Sequence, residues 1–470
     1  MIASLLVALR QPLGGTALLA MLGVGATALF LGLFFSAQAG LLFLAAAWVA
    51  VGTWRYPWPA FLLLIATAPF LLILKATVVL GPLTVLKDVV ILTLFLQSLR
   101  GGGSLLPPAL RVPVLALVAW DLVTFVRADA FALGLLRLRD LLLYIPLLVI
   151  AARQIHTTER QRTFFTVFLG TAGLILLLAG IQRLQFPDSM VLRFDAARQV
   201  WIPRVSSVLA HPNHLGGYLV FTLALAAAVT GIRGLPRGLR LGAGILTAAG
   251  LVATTLTYSR SAWIAVPVAL ISAAVLPRVA LAPRAVGAAF LTMVLFGSAV
   301  LAVPRVRQFV RAVADPAYQS NKTRLEIAAG SLVGISNVGA VIGEGLGDTT
   351  TLLQRTAEIS LYDIVSAGAQ EVQVAKARTF VDNGVVKTWV EQGAIGLVIV
   401  GWIAAHLVRL GLLALRHATD PETRAIGVAA TAAVCGLAVL WLFLDVTDMF
   451  PANLYFWTFA GLVAGARSRS

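Results

Sequence analysis

Residues 164–181 read FFTVFLGTAGLILLLAGI, a run of 18 residues without a charged side chain. An apolar run of about 18 residues or more is long enough for a helix to cross the hydrocarbon core of a bilayer. The rest of the chain has the same character, because 59% of its 470 residues are apolar, only 12% are charged, and its mean hydropathy is +0.92. Soluble domains carry about 25% charged residues. The sequence therefore predicts a polytopic membrane protein and excludes a soluble one.

Similar apolar runs recur along the chain and predict an all-α fold, a transmembrane helical bundle of about 12–14 spans. We treat residues 1–470 as a single integral membrane domain. The lower span count stays open because some early runs are short enough to be re-entrant. No small-residue cleavage site precedes the second apolar run, so we expect a retained first span rather than a cleaved signal peptide. The predicted spans lie near 14–35, 39–54, 58–75, 79–98, 112–126, 131–151, 164–184, 214–232, 241–257, 261–277, 285–303, 386–408, 425–443 and 450–466.

The net charge of +16 comes from 36 Lys and Arg residues against 20 Asp and Glu residues. Such an excess is typical of the cytoplasmic loops of a membrane protein, so we predict no nucleic-acid partner. The arginines of the short loops fall on one side of an alternating topology, which predicts that this side and both termini face the cytoplasm. They are Arg100, Arg111, Arg153, Arg160, Arg162, Arg233, Arg237, Arg240, Arg278, Arg284, Arg409, Arg416 and Arg424.

Two longer connections then face outward, residues 185–213 and the large external loop 304–382, and we expect the functional site there. The apolar spacing of NKTRLEIAAGSLVGI predicts a short amphipathic helix in the large loop, and GEGLGD after it predicts a structural turn rather than a nucleotide site. The single cysteine, Cys435, excludes an intramolecular disulfide framework and a Cys-rich metal site.

Several charged residues fall inside predicted spans, where each costs about 2.5–3.5 kcal/mol to insert. Two explanations are open: the charges pair with one another and fix helix packing, or they line a polar cavity for an anionic substrate. Asp445 and Asp448 lie at the outer end of a span. They are either ordinary helix-end residues or part of the lining of the same cavity. The residues within spans are Lys87, Asp88, Asp121, Arg137, Arg139 and Asp140.

Two stretches at the outer ends of spans carry candidate binding groups. In HPNHLGGYL, His211 and His214 suit N-capping and interfacial hydrogen bonds better than zinc, because no acidic or thiol partner is adjacent. In TYSRSAW, Arg260 lies beside hydroxyl residues such as Ser259, at a boundary where the positive-inside rule calls for no positive charge. A guanidinium there can bind a phosphate through two parallel hydrogen bonds. The alternative is that Arg260 extends to the lipid headgroups.

Two further stretches belong to the large loop and its end. Lys322 and Arg324 open the predicted amphipathic helix, where cations oppose the helix dipole and favour an anionic partner; a salt bridge within the loop is the alternative. Asp382 and Asn383 lie where the loop meets the next span. Asp382 suits an ordinary N-cap, and its carboxylate could also accept a proton from a sugar hydroxyl.

At these residues the chain resembles the O-antigen polymerase and ligase superfamily (Wzy/WaaL-like) of membrane glycosyltransferases. The likeness covers residues 205–400 and depends on four short motifs in order: HPNHLGGYL, TYSRSAW, SNKTRLEIAAG with GEGLGD, and DNGVVKTWVEQGAIG. It implies a multi-span fold similar to that of lipid-linked glycosyltransferases of the GT-C-like type.

The resemblance also implies roles for single residues. Arg260 and Arg324 match the arginines thought to hold a diphosphate, and Asp382 stands where ligases have a histidine base. The spacing from this position to Gly393 and Gly396 is kept. We therefore take Asp382, Arg260 and Arg324 as candidate catalytic residues. The candidate substrate-binding residues are Lys322, Ser259, His211, His214 and Asn383, and no residue is assigned to a metal.

By the same resemblance we expect an inverting glycosyltransferase of the bacterial cytoplasmic (inner) membrane, with its active site facing the periplasm. Its donor would be an undecaprenyl-diphosphate-linked glycan, and its acceptor a glycan or lipid A-core, as in O-antigen, lipopolysaccharide and other cell-envelope polysaccharides. The resemblance implies neither a metal nor another cofactor; membrane lipids are expected partners and a chain-length regulator is a candidate one. The replacement of the ligase histidine leaves both a polymerase and a ligase open. The alternative function is a transporter or flippase of lipid-linked sugars, which the long external loop disfavours.

Overall fold

The computed structural model of the protein describes residues 24–31, 36–75, 81–100, 106–195, 200–279, 335–347, 383–447 and 449–466. Within these ranges, ten helical segments are long and apolar enough to cross a membrane. The protein is therefore the polytopic all-α bundle that its composition predicts.

The described residues from 37 to 185 are mostly helical. Proline begins three of these helices, where its fixed φ favours the first turn. Short 3-10 turns at Ala68–Phe70 and Gly81–Val85 extend two of the spans. The helices are α1 (Ala37–Arg55), α2 (Pro57–Thr67), α3 (Leu71–Lys75), α4 (Leu86–Leu99), α5 (Pro108–Val126), α6 (Phe131–Leu142), α7 (Pro146–Gln154) and α8 (Thr158–Gln185).

The second half begins with a two-stranded antiparallel hairpin, which the sequence analysis did not predict. The hairpin strands are β1 (Val191–Asp195) and β2 (Val200–Arg204). The helices that follow are α9 (Pro212–Gly231), α10 (Arg237–Leu256), α11 (Arg260–Val279), α12 (Asn337–Ile342), α13 (Gly384–His417), α14 (Pro421–Trp441) and α15 (Ala452–Ala466).

Ten of the fourteen predicted spans are confirmed as candidate membrane helices. The predicted span 131–151 is divided into α6 and α7, because three non-helical residues precede Pro146. The last predicted span is the 15-residue helix α15. The predicted span 285–303 and most of 14–35 lie outside the described residues.

Helices α9 and α14 occupy the centre of the bundle: 78% of the most apolar window of each is buried, against 11% for α1. Aromatic rings pack around them, with Phe168 edge-on to Tyr455 at 5.0 Å between ring centroids and Phe221 against Phe459 at 5.3 Å. Such ring pairs contribute about 0.5–1.5 kcal/mol beyond the area they bury. The centre is therefore a packed core.

The bundle has two chemically different ends. At one, here called the basic end, Arg100 lies over the Trp54 ring at 4.1 Å, and the Arg153 guanidinium donates to the Ser98 carbonyl. Arg162 pairs with the buried Glu422 at the same end. The opposite end, here called the distal end, is formed by the described residues of the connections 186–211, 257–259, 343–347 and 442–451. Described residues of all four sequence motifs lie at this distal end.

Candidate active site

The β-hairpin returns the chain to the distal ends of α8 and α10. Val191 pairs with Arg204 in the antiparallel register. The next backbone amide, Val205 N, donates to Leu256 O at 3.1 Å, and Arg204 Nε donates to Thr257 O at 2.9 Å. Because Arg204 is only 8% exposed, the hairpin sets a guanidinium into a buried position beside the end of α10.

Arg204 joins the first two sequence motifs into one polar cluster. Its guanidinium donates to Asn213 Oδ1 at 3.1 Å, and Ser259 Oγ donates to the same oxygen at 2.9 Å. Ser261 Oγ lies 3.2 Å from Ser259 Oγ. A Cβ at Gly216 would lie 2.6 Å from the Ala262 Cβ, so glycine is required for this close approach of α9 and α11. HPNHLGGYL and TYSRSAW therefore meet directly.

The backbone around this cluster is strained. Ser207, Ala210 and Tyr258 are the non-glycine residues with positive φ in the described part of the chain, at 54°, 59° and 47°. Such conformations cost on the order of 1–3 kcal/mol each and occur where the surrounding structure holds them. Gln182 Oε1 stabilises part of this strained backbone, because it accepts hydrogen bonds from the Ser206 and Ser207 amides at 3.1 and 2.7 Å.

Both motif histidines make hydrogen bonds. His211 is the N-cap of α9, and its Nδ1 accepts from the Asn213 amide at 3.1 Å. His214 Nδ1 lies 3.0 Å from the Phe450 carbonyl, in the connection before α15. The expected capping and hydrogen-bonding role is therefore confirmed. Among the described residues, no cluster of three His, Cys, Asp or Glu side chains could hold a metal ion.

The surroundings of His211 give a pH prediction. Burial, then the charge of Arg204 and the neighbouring His214, lowers the pKa of His211 from 6.5 to about 4. The unfolded chain therefore binds a proton before the folded protein does, so stability is full above about pH 6.5 and falls as the pH drops toward 4. We expect a loss of up to about 3 kcal/mol, since one pKa unit is about 1.4 kcal/mol. Thermal unfolding in detergent from about pH 7.5 to pH 4 measures this loss.

A matched pair of variants isolates this effect. His211→Asn keeps a good N-cap acceptor but does not titrate, so its unfolding temperature should fall less over the same pH range. His156 is exposed at the basic end, and His156→Asn should keep the pH dependence of the unchanged protein. Equal pH dependence in the unchanged protein and His211→Asn would contradict the prediction.

Arg260 is the first residue of α11 and is partly exposed between the buried Ser259 and Ser261. It begins a 20-residue helix, whose N-terminal end carries a partial positive charge that adds to the guanidinium. Backbone amides, hydroxyls and a guanidinium together suit an anion such as a phosphate.

The connection 442–451 links this cluster to the charges on α4 and α6. The Phe450 carbonyl meets His214, while Lys87 Nζ lies 5.7 Å from the Phe450 ring centroid. Lys87 pairs with Asp88 at 2.5 Å, and Asp88 also pairs with the Arg139 guanidinium. Of the two explanations for the charges inside spans, ion pairing is confirmed for this group.

A second charged group is buried where α6, α13 and the connection 442–451 meet. Arg137 Nε lies 2.8 Å from Glu391 Oε2, and another nitrogen of its guanidinium lies 3.2 Å from Asp445 Oδ2. Lys387 Nζ lies 3.0 Å from the same Asp445 oxygen. These four residues, here called the charge quartet, carry two positive and two negative charges. Burial favours the neutral acid, yet Lys387 and Arg137 lower the pKa of Asp445 to about 2.

The fourth motif forms the start of α13. Asn383, not Asp382, is the N-cap, because its Oδ1 accepts from the Val385 and Val386 amides at 3.0 and 3.1 Å. The prediction of Asp382 as N-cap is therefore wrong: the helix begins one residue later than that prediction requires. Lys387 N donates to Asn383 O, so the charge quartet begins one helical turn after the cap.

Residues 343–347 of GEGLGD form a turn, as predicted, and this turn packs on α13, where Glu344 N donates to Val390 O at 2.8 Å. Gly393 has a φ of 68° inside α13, and a Cβ there would lie 2.3 Å from Val341 O. The turn is held by Leu346 N, which donates to Thr124 O at 3.1 Å, and by Arg127 Nε, which donates to Gly343 O at 3.2 Å. The kink in α13 therefore makes room for the turn.

The structure thus brings part of the predicted site together. His211, His214, Ser259 and Arg260 lie around one cluster, and Asn383 begins α13 at the same end of the bundle. Lys322, Arg324, Asp382 and Asp448 lie outside the described residues. The position of Arg204 and the burial of Lys387 and Glu391 were not predicted from the sequence. Lys387 and Glu391 are four residues apart in the fourth motif, and this spacing indicates that they share one face of a helix.

Residues 243–401, a third of the chain, match the family model described as O-antigen ligase. No curated protein matches the chain. The matched range contains TYSRSAW, the large loop and the start of α13, and the HPNHLGGYL motif precedes it. The chain is therefore a polytopic membrane protein with ten candidate membrane spans in its described part, and its residues 243–401 are similar to the O-antigen ligase family.

Proposed function

We propose that this protein is a glycosyltransferase that moves glycan from an undecaprenyl-diphosphate-linked donor to a sugar hydroxyl at the distal end of its bundle. The observation that carries the proposal is the meeting of two separate family motifs there, through the Arg204, Asn213 and Ser259 hydrogen bonds beside Arg260. The group combines a guanidinium, hydroxyls and a helix N-terminus, which suits a diphosphate. By the positive-inside rule the distal end faces the periplasm, since the loop arginines lie at the opposite end.

The transfer proceeds with one bond formed and one broken. The acceptor hydroxyl oxygen attacks the anomeric carbon from the face opposite the diphosphate, and the anomeric C–O bond breaks with inversion. The bonding electrons leave with the undecaprenyl diphosphate, while the hydroxyl proton passes to a carboxylate base. We assign that base to Asp382, and we assign neutralisation of the departing diphosphate to Arg260 and Arg324.

Positioning of the base depends on α13 in this proposal. Asp382 immediately precedes the N-cap Asn383, and the charge quartet holds the next two turns of the helix. A reacting group needs to be placed within a fraction of an ångström for full effect. The buried ion pairs therefore support the reaction without touching substrate. Lys322 and the His211–His214 pair are assigned to substrate binding.

A polymerase and a ligase share this donor and differ in acceptor. Purified protein should receive an undecaprenyl-diphosphate-linked repeat unit alone, without metal or nucleotide, and the products should be separated by size. We expect a ladder of longer lipid-linked glycans for a polymerase. Transfer only after addition of lipid A-core would identify a ligase.

The transporter alternative gives a different result in the same system. In proteoliposomes a flippase moves the labelled donor across the bilayer and leaves it chemically unchanged. Movement without any new glycosidic bond, with either acceptor, would overturn the glycosyltransferase proposal.

A further inference from the structure

A large cavity lined by described residues lies at the basic end, away from the candidate active site. Its volume is about 790 Å³, within the range of about 300–1,000 Å³ typical of small-molecule sites. The apolar part of its wall includes Gly244 of α10 and Ala273, Ala274 and Pro277 of α11. Helices α10 and α11 meet at the distal end, where Trp263 Nε1 donates to Thr254 O at 2.9 Å. The cavity therefore lies between helices that are joined at their other end.

Three arginines line the same cavity: Arg233 after α9, Arg416 near the end of α13 and Arg424 in the first turn of α14. Arg233 and Arg416 are exposed, whereas Arg424 Nε is buried and has no hydrogen-bond partner among the described residues. A buried unpaired donor of a charged group costs free energy until an acceptor reaches it.

The acidic residues nearest along the chain are engaged elsewhere. Asp420 accepts from the Thr423 amide at 2.9 Å as the N-cap of α14, and Glu422 pairs with Arg162 at 2.5 Å. Three cations thus border a cavity that has no acidic residue among its described lining residues. The charge of the site is complementary to an anion, and its walls are complementary to a hydrocarbon chain.

We infer that this cavity binds an anionic phospholipid from the leaflet at the basic end. The headgroup phosphate lies among Arg233, Arg416 and Arg424, the three cations that line the cavity. The upper part of an acyl chain packs against Gly244 and Ala274, the second of which is exposed on the bundle surface. Basic pockets between membrane helices are suited to anionic headgroups for this reason. The site is separate from the proposed transfer site, and its occupancy is measurable without any activity.

The experiment is a native mass spectrometry titration of the purified full chain with phosphatidylglycerol and, separately, phosphatidylcholine. We expect tight binding of one phosphatidylglycerol and much weaker binding of phosphatidylcholine. Arg416→Gln and Arg424→Gln should each weaken phosphatidylglycerol binding about five-fold. Arg111→Gln is the matched control, because Arg111 is exposed on α5 at the same end and does not line the cavity.

A second variant separates the lipid from a bare anion. Gly244→Phe fills the cavity without changing charge, since a Cβ at Gly244 meets nothing nearer than Thr230 Cγ2 at 3.7 Å. We expect this variant to lose phosphatidylglycerol binding, and inorganic phosphate to compete poorly. Unchanged binding in Gly244→Phe, full competition by phosphate, equal binding of the two lipids, or equal loss in Arg111→Gln would each overturn the proposal.

Discussion

Replacing Arg260 by alanine should lower glycan transfer about 100- to 1,000-fold while the protein stays folded, because one preorganised donor at a developing negative charge contributes that much. Arg260 is partly exposed at the first position of α11, whereas the neighbouring serines are buried. Removal of this side chain should therefore reduce stabilisation of the departing diphosphate more than it disturbs helix packing. The rate of ladder formation at saturating donor, with the thermal unfolding temperature of the same sample, measures both effects.

Two further variants test the reason for this loss. Arg260→Lys keeps the charge but not the planar pair of donors. We therefore expect its transfer rate to lie between the rates of the alanine variant and the unchanged protein. Arg183→Ala removes an exposed arginine near the distal end of α8 and should leave transfer unchanged. Full transfer by Arg260→Ala, or an equal loss in Arg183→Ala, would remove Arg260 from the proposed mechanism.

Much of this architecture could be predicted because lipid imposes simple constraints on sequence. A span must be apolar for about 20 residues, which is why runs such as 164–184 and 214–232 reappear as helices. The alternation of spans also explains why HPNHLGGYL and TYSRSAW, 46 residues apart at Asn213 and Ser259, end on the same side. Two spans lie between these residues, so an even number of crossings returns the chain to the same end.

The contacts that build the site could not be predicted in this way. Arg204 reaches Asn213 only because a β-hairpin reverses the chain, and the hairpin lacks the Asn-Gly or Asp-Gly turn that marks such structures in sequence. The charge quartet joins Arg137 to Glu391 across 254 positions. Ion pairing within spans was one of two open explanations, but a single sequence does not identify which charges are partners.

Replacing Arg137 by methionine should lower the free energy of unfolding by about 3–5 kcal/mol, because the buried Glu391 then loses its ion pair with Arg137 and Asp445 keeps only Lys387 from the charge quartet. Arg139→Met is the matched control on the same helix. The Arg139 side chain is 43% exposed, and exposed pairs are worth about 0–1 kcal/mol. The difference in unfolding temperature in detergent measures the effect, and similar losses in the two variants would contradict it.

The double variant Arg137→Met with Glu391→Leu separates stability from positioning. It removes one positive and one negative charge, and the 3.0 Å Lys387–Asp445 pair remains. Because apolar residues often replace a buried ion pair at little cost, most of the lost stability should return. Transfer should nevertheless stay about ten-fold lower, because Glu391 no longer holds α13 two turns after its Asn383 cap, and small displacements of reacting groups are costly. Recovery of both stability and transfer would mean that these charges serve packing alone.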